Sequence, residues 1–198
     1  MANTSRINGF KPVKHLNGSP YNGQANIYEV PAGEAIPVFI GDLVQLSTVT
    51  PTSNYPAVKN VATATTANNV AAAPVLGAVL GVFNAKVDID GKMTTGSISL
   101  DLPIYRPAST KQFVLVADSP DLVFEVQATA SFAIADIGLI AGIASADMTT
   151  SGALTTGASP QTVATTAASA SATRPLQVLG FSTRVDNEPA GAFNKLLV

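Results

Sequence analysis

Apolar and polar residues alternate along several short stretches of this chain, and turn residues close each stretch. Leu122, Phe124 and Val126 alternate with Val123, Glu125 and Gln127 directly after Asp118-Ser-Pro-Asp121. A period of two predicts a strand with one face turned mainly to a core. The turn before it is predicted by Asp118 and Ser119, which can hydrogen-bond back to the backbone, and by Pro120, whose φ is fixed near a turn value. Similar strand signals lie at Asn26 to Val30, Ile36 to Ile40, Leu43 to Leu46, Val75 to Val82, Phe113 to Val116, Pro175 to Thr183 and Phe193 to Val198. Gly77 and Gly81 interrupt the Val75 to Val82 stretch, and glycine inside a strand predicts a bulge or a close backbone approach.

Helical periodicity is scarce, and 15 glycines and 13 prolines puncture the chain too often for long helices. Ile134, Ile137, Ala141 and Ala144 alone fall at roughly helical spacing and allow a turn or two of helix. The expectation is an all-β fold: a single-domain β-barrel or sandwich with long Ala/Thr-rich loops. Those loops are Val49 to Ala73 and Thr149 to Thr173, where Ala, Thr, Ser and Asn leave few large apolar side chains. Neither stretch could bury enough apolar surface to order alone. They are read as exposed loops or as extended arms that order on neighbouring subunits.

The first 21 residues form a further unit, an extended N-terminal segment (1–21) ahead of a β-rich body (22–198). Ile7, Phe10, Val13 and Leu16 recur every three residues between glycines and prolines. A purely solvated tail does not need such a series. The four are the candidate interface residues, reaching a partner or folding back onto the chain's own core.

Composition narrows the chemistry. Charged residues make up 12% of the chain, against about 25% in ordinary soluble domains, which suits a protein packed against others. There is no cysteine, so thiol catalysis, disulfides and zinc thiolates are excluded. A net charge of −2 and the lack of any Lys/Arg cluster in sequence leave no footprint for nucleic acid. The longest apolar run, Ala71 to Phe83, is broken by Pro74 and is too short to span a bilayer. With no signal-peptide order at the N-terminus, a soluble protein made in a cytoplasm is expected.

No catalytic constellation is legible. His15, the one histidine, has no orienting partner or nucleophile nearby in sequence. Asp88-Ile-Asp-Gly91 opens like a calcium loop but lacks the closing glutamate, so a hairpin turn is expected there. Asp118 with Asp121, and Asp186 with Glu188, sit in turns beside prolines where carboxylates cap and solvate loops. No nucleophile elbow, phosphate loop or zinc-protease motif occurs. The expectation is no enzyme activity, no cofactor and no metal.

Several segments, in order, resemble tailed-bacteriophage head decoration (capsid cement) proteins: Phe10 to Gly18, Phe39 to Val44, Val79 to Phe83, Tyr105 to Thr110, Asp118 to Gln127 and Val185 to Lys195. The resemblance touches nearly the whole chain, except the two Ala/Thr-rich stretches. It implies a β-rich virion structural protein, made in the host bacterial cytoplasm, that decorates and reinforces the capsid exterior. The implied partners are the major capsid protein and other copies of the chain, as a trimer or dimer, with no nucleic acid and no membrane. The alternative is a receptor- or carbohydrate-binding β-module of a phage tail or surface, for which Tyr21, Tyr28, Tyr55 and Tyr105 would have to converge. A cell-wall hydrolase comes third.

Overall fold

The computed structural model describes residues 3–61, 74–83, 85–87, 93–98, 102–144, 154–164, 175–189 and 191–198. Among them the chain is all-β, apart from a 3₁₀ turn at Ile134–Asp136 and a 3₁₀ residue at Val61. The strands are β1 (Lys11–His15), β2 (Asn26–Val30), β3 (Leu43–Leu46), β4 (Val58–Asn60), β5 (Gly77–Val82), β6 (Ala85–Val87), β7 (Met93–Ile98), β8 (Gln112–Ala117), β9 (Leu122–Gln127), β10 (Ile140–Ala141), β11 (Leu176–Gln177), β12 (Gly180–Phe181) and β13 (Lys195–Leu197). Two antiparallel sheets dominate, one of five strands in the order β2-β8-β5-β3-β4 and one of four in the order β1-β9-β13-β12; β6 with β7 and β10 with β11 form two-stranded ribbons.

The architecture is a sandwich-like single domain. Phe10, Leu43, Ala78, Val126, Phe132 and Leu196 meet in a shared core, joining residues of both large sheets. Residues one position along on β3 and β5, Val44 and Val79, belong instead to a second core with Tyr28, Val30, Val114 and Val116. Alternation of side chains along a strand places these on the opposite face of the five-stranded sheet. That sheet is therefore buried on both faces. Its edges approach at a single bridge, Glu29 with Ala57, so no ladder closes it into a barrel.

Glycine in β5 does what its position in the sequence predicts. The pairing of β5 with β8 shifts register between Val79 and Gly81. A Cβ on Gly77 would lie 2.0 Å from the Ala117 carbonyl oxygen, so the two backbones touch where any side chain would collide.

Within the stretch expected as an extended segment (1–21), residues 11–15 form a strand of the four-stranded sheet. β1 pairs antiparallel with β9, from Lys11 opposite Glu125 to His15 opposite Leu122. Gln127 on β9 accepts a bond from the Arg6 amide (2.7 Å) and donates one to Ser5 Oγ (3.2 Å). Asn3 and Glu188 bond each other's amide and carbonyl groups. The exposed edge of β9 offered unpaired backbone groups, and the first residues satisfy them.

The Ala/Thr-rich stretches also differ from plain exposed loops where they are described. Val58–Asn60 is the edge strand β4. Ser159, Gln161, Thr162 and Val163 are buried, with Val163 bridging both Ala128 and Ile143. The remainder of both stretches, and the turn expected at Asp88 to Gly91, lie outside the described residues. The expected helical turn shrinks to the 3₁₀ turn, after which Ile140 and Ala141 form β10.

Candidate interaction surfaces

Most titratable and polar side chains with defined partners fasten loops. Arg106, fully buried, is bridged to Val38, with which it exchanges backbone hydrogen bonds. Its guanidinium donates to three carbonyls, of Pro31 (2.6 Å), Ile36 (2.7 Å) and Thr110 (2.7 Å). Burial lowers its pKa to about 10, against a partial offset from Glu34. Glu29, also buried, accepts from the Thr52 amide (3.0 Å), the Thr52 hydroxyl and the Ser53 hydroxyl, and Lys111 stands 3.8 Å away. Burial alone would raise its pKa; these donors together bring it below the ordinary glutamate value.

Asp42 anchors a buried polar cluster. Its carboxylate accepts from the Phe39 amide (2.8 Å), Asn60 Nδ2 (2.7 Å) and Ser159 Oγ (2.5 Å). Gln161 completes the cluster, donating to Asn60 Oδ1 (3.1 Å) and accepting the Leu43 amide (2.8 Å). This cluster draws residues 159–161 into the interior. Desolvation raises the Asp42 pKa to about 7 even against the bonds from Ser159 and Phe39.

His15 has the partner that its sequence neighbours did not supply. Its Nδ1 lies 3.1 Å from Asp121 Oδ1, 106 residues away. Ser119 Oγ donates to the same oxygen at 2.5 Å. A nucleophilic serine needs the imidazole as its acceptor; here it bonds the carboxylate, so the three side chains fasten the β8–β9 turn to β1. Asp118 on that turn accepts from Asn26 Nδ2 (3.0 Å) and the Tyr28 hydroxyl (2.5 Å), rather than turning back on its own backbone. Burial and that bond push the Tyr28 phenol up to about 12. Among the described residues, no three His, Cys, Asp or Glu side chains are grouped to hold a metal ion, and no helix is long and apolar enough to cross a membrane.

The four candidate interface residues separate. Phe10 is 1% exposed, packs edge-on against Phe124 at 6.4 Å between centroids and belongs to the shared core. Val13 is half-buried on β1, and Ile7 and Leu16 are exposed. Spacing by three does not gather residues on one face of a strand, and β1 carries a bulge between Pro12 and Lys14 besides. The tyrosines do not form one cluster either. Tyr105 stacks on Phe39 at 4.8 Å, Tyr55 sits edge-on to Phe113, and Tyr21 bonds the Gln24 carbonyl.

Three surfaces remain open to partners. The first lies where the Ile40, Ile104 and 157–159 segments meet; Ile40 and Ile104 are exposed there, and Leu102 and Leu154, near them in sequence, are exposed as well. Ile40 exchanges backbone hydrogen bonds with Gly157 and Ser159, both 2.8 Å. Gly157 has φ +66°, and a Cβ there would lie 2.8 Å from the Ile104 carbonyl oxygen, so glycine permits the approach that brings these segments together. The second is a cleft of about 60 Å³ lined by Arg6, Lys11, Glu125, Arg184 and Lys195. The third is a groove of about 230 Å³ whose walls include Leu16, Leu43, Leu122, Phe124, Leu176 and Leu179. Sequence reading missed Arg106, Asp42 and all three surfaces. In a chain so poor in charge, an arginine or aspartate inside an apolar stretch, as in Phe39-Ile-Gly-Asp-Leu-Val44, was the available signal. No protein-family model, curated protein or solved structure matches the chain.

Proposed function

We propose that this chain is a bacteriophage virion structural protein that decorates and reinforces the capsid shell by binding the major capsid protein. The observation that carries the reading is the junction of the Ile40, Ile104 and 157–159 segments, which leaves Ile40 and Ile104 exposed with Leu102 and Leu154 exposed nearby in sequence, on a body whose defined ionic and polar partners hold loops in place. Burying a Leu or Ile side chain is worth about 1.5–3 kcal/mol, so a shallow face of this kind suits binding spread over an area. The ordered resemblance of six segments to capsid cement proteins supports the same reading. The carbohydrate-binding alternative wanted convergent tyrosines, and Tyr105 stacks with Phe39 apart from the pair Tyr28 and Tyr55, which share one surface hollow.

The reading is tested on virions of a phage encoding this chain. Density for the chain should lie on the outer shell, and particles lacking it should assemble but release DNA at lower temperature. The double variant Ile104→Glu/Leu154→Glu should melt with the parent chain yet fail to bind shells. Absence of the chain from the shell, or equal heat resistance with and without it, overturns decoration or reinforcement respectively.

A further inference from the structure

Opposite ends of the four-stranded sheet carry complementary surfaces. Where β9 finishes, Arg6, Lys11, Arg184 and Lys195 crowd the small cleft. Arg184 pairs with Glu125 (3.3 Å) and Asp186 (3.0 Å), and Lys195 with Asp186 (2.6 Å). Arg6 and Lys11 have no ion-pair partner among the described residues, which leaves two positive charges in excess within a chain of net charge −2. Their neighbours in sequence project as well: Ile7 is exposed, and Val185, beside Arg184, is 100% exposed.

Where β9 starts, the pattern is reversed. Asp118 is held only by the neutral donors Asn26 and Tyr28, and Asp121 by Ser119 and His15. The apolar groove opens at this turn, with Ser119 and Pro120 contributing to its walls alongside Leu16, Leu122, Phe124 and Leu179. One end thus combines unpaired cations with projecting aliphatics. The other combines carboxylates with a groove of aliphatic size.

We propose that the chain self-associates head to tail, with Ile7, Val185, Arg6 and Lys11 of one copy docking on the groove and the Asp118–Asp121 turn of the next. Both complementarities are satisfied in a single docking because each end carries one member of each pair. A two-fold contact through either end would set cation against cation or carboxylate against carboxylate, which like-charge repulsion opposes. A head-to-tail contact is heterologous, which generates a ring where the rotation closes and an open filament where it does not; its closed form is a ring of three or more copies, not a symmetric dimer. Of the two oligomers expected from the sequence resemblance, the trimer is compatible with this contact. Self-association is measured with no shell present, so it stands or fails separately from capsid binding.

The test is sedimentation velocity on the full chain and on two blocked copies. Lys11→Glu/Val185→Asp disables the cationic end, and Leu16→Arg disables the groove; all three positions lie at the surface or strand edge, and thermal melts confirm that the variants fold. The parent chain should form closed oligomers that weaken at least about tenfold between 0.1 and 1 M salt, as the Debye length falls from about 10 to about 3 Å. Each blocked copy alone should be monomeric. Mixed in equal amounts, they should form dimers and nothing larger, because the first retains its groove and the second its cationic end. A parent chain that stays monomeric to about 100 µM, the K_d range of weak contacts, overturns the proposal. So does a blocked copy that still self-associates, or a mixture that remains monomeric.

Discussion

Asp42 sets a pH dependence that runs opposite to that of most carboxylates. Its pKa rises from 3.8 to about 7 because burial strips the charged form of water. Between those values the folded chain holds a proton that the unfolded chain has released. The stabilisation is therefore fully present below about pH 4 and is lost as the pH climbs through 7. A rise of about three units, at 1.36 kcal/mol per unit, sets the loss at about 4 kcal/mol. In a domain of this size each kcal/mol moves the melting temperature by about 2–4 °C, so the drop between pH 4 and pH 8 is about 8–16 °C. Asp42→Asn isolates the effect. The Phe39 amide and Asn60 Nδ2 both donate to one carboxylate oxygen, Oδ2, which an asparagine carbonyl can replace. The amide nitrogen would then face Ser159 Oγ, whose hydroxyl can turn to accept. Thermal melts of both proteins across pH 4–8 should coincide at the acid end, diverge progressively from about pH 4 and run parallel above about pH 7, with the variant the more stable. Asp121 and Asp186 have pKa values lowered from the ordinary aspartate value of 3.8, so they titrate below this window, and Glu29 is lowered as well. Parallel curves for the two proteins from pH 4 to pH 8 would refute the argument.

Arg106→Met removes a cation that binds three loop carbonyls at once, and hydrogen bonds to charged groups are worth about 1.5–3 kcal/mol each; the urea midpoint should fall by the equivalent of about 3–5 kcal/mol. Phe10→Ala should cost about 3–5 kcal/mol as a core truncation, whereas Leu16→Ala should stay within about 0.5 kcal/mol, both read from denaturant unfolding. A Phe10→Ala chain that melts with the parent would return the first residues to the status of a free arm.

The fold was legible wherever a strand carried its own pattern, and illegible wherever pairing was decided by another part of the chain. β2 and β3 occupy the residues their apolar runs predict, and β9 follows its turn directly. Alternation predicted β9 as half-buried, yet Val123 and Gln127 on its second face are also buried. Ser5 and Arg6 bond Gln127 on that face, and nothing within Leu122 to Gln127 encodes such a neighbour. β1 was hidden for the converse reason: Lys11-Pro-Val-Lys-His15 lacks strand periodicity and is held by the edge of β9. Residues 159–163 show the same logic in polar form. Ser, Gln and Thr are poor predictors of a core, but Asp42, Asn60 and the Leu43 amide provide a matching set of donors and acceptors that makes their burial affordable. The surfaces available to partners follow from these same long-range choices. Only because β1 is sewn to β9 do Arg6 and Lys11 stand beside Arg184, 178 residues from Arg6, and only because Gly157 lies against Ile104 do the segments of Ile40 and Ile104 meet. A chain with little charge thus gathers its binding features by topology, and the ends of the four-stranded sheet differ in kind because different segments meet there.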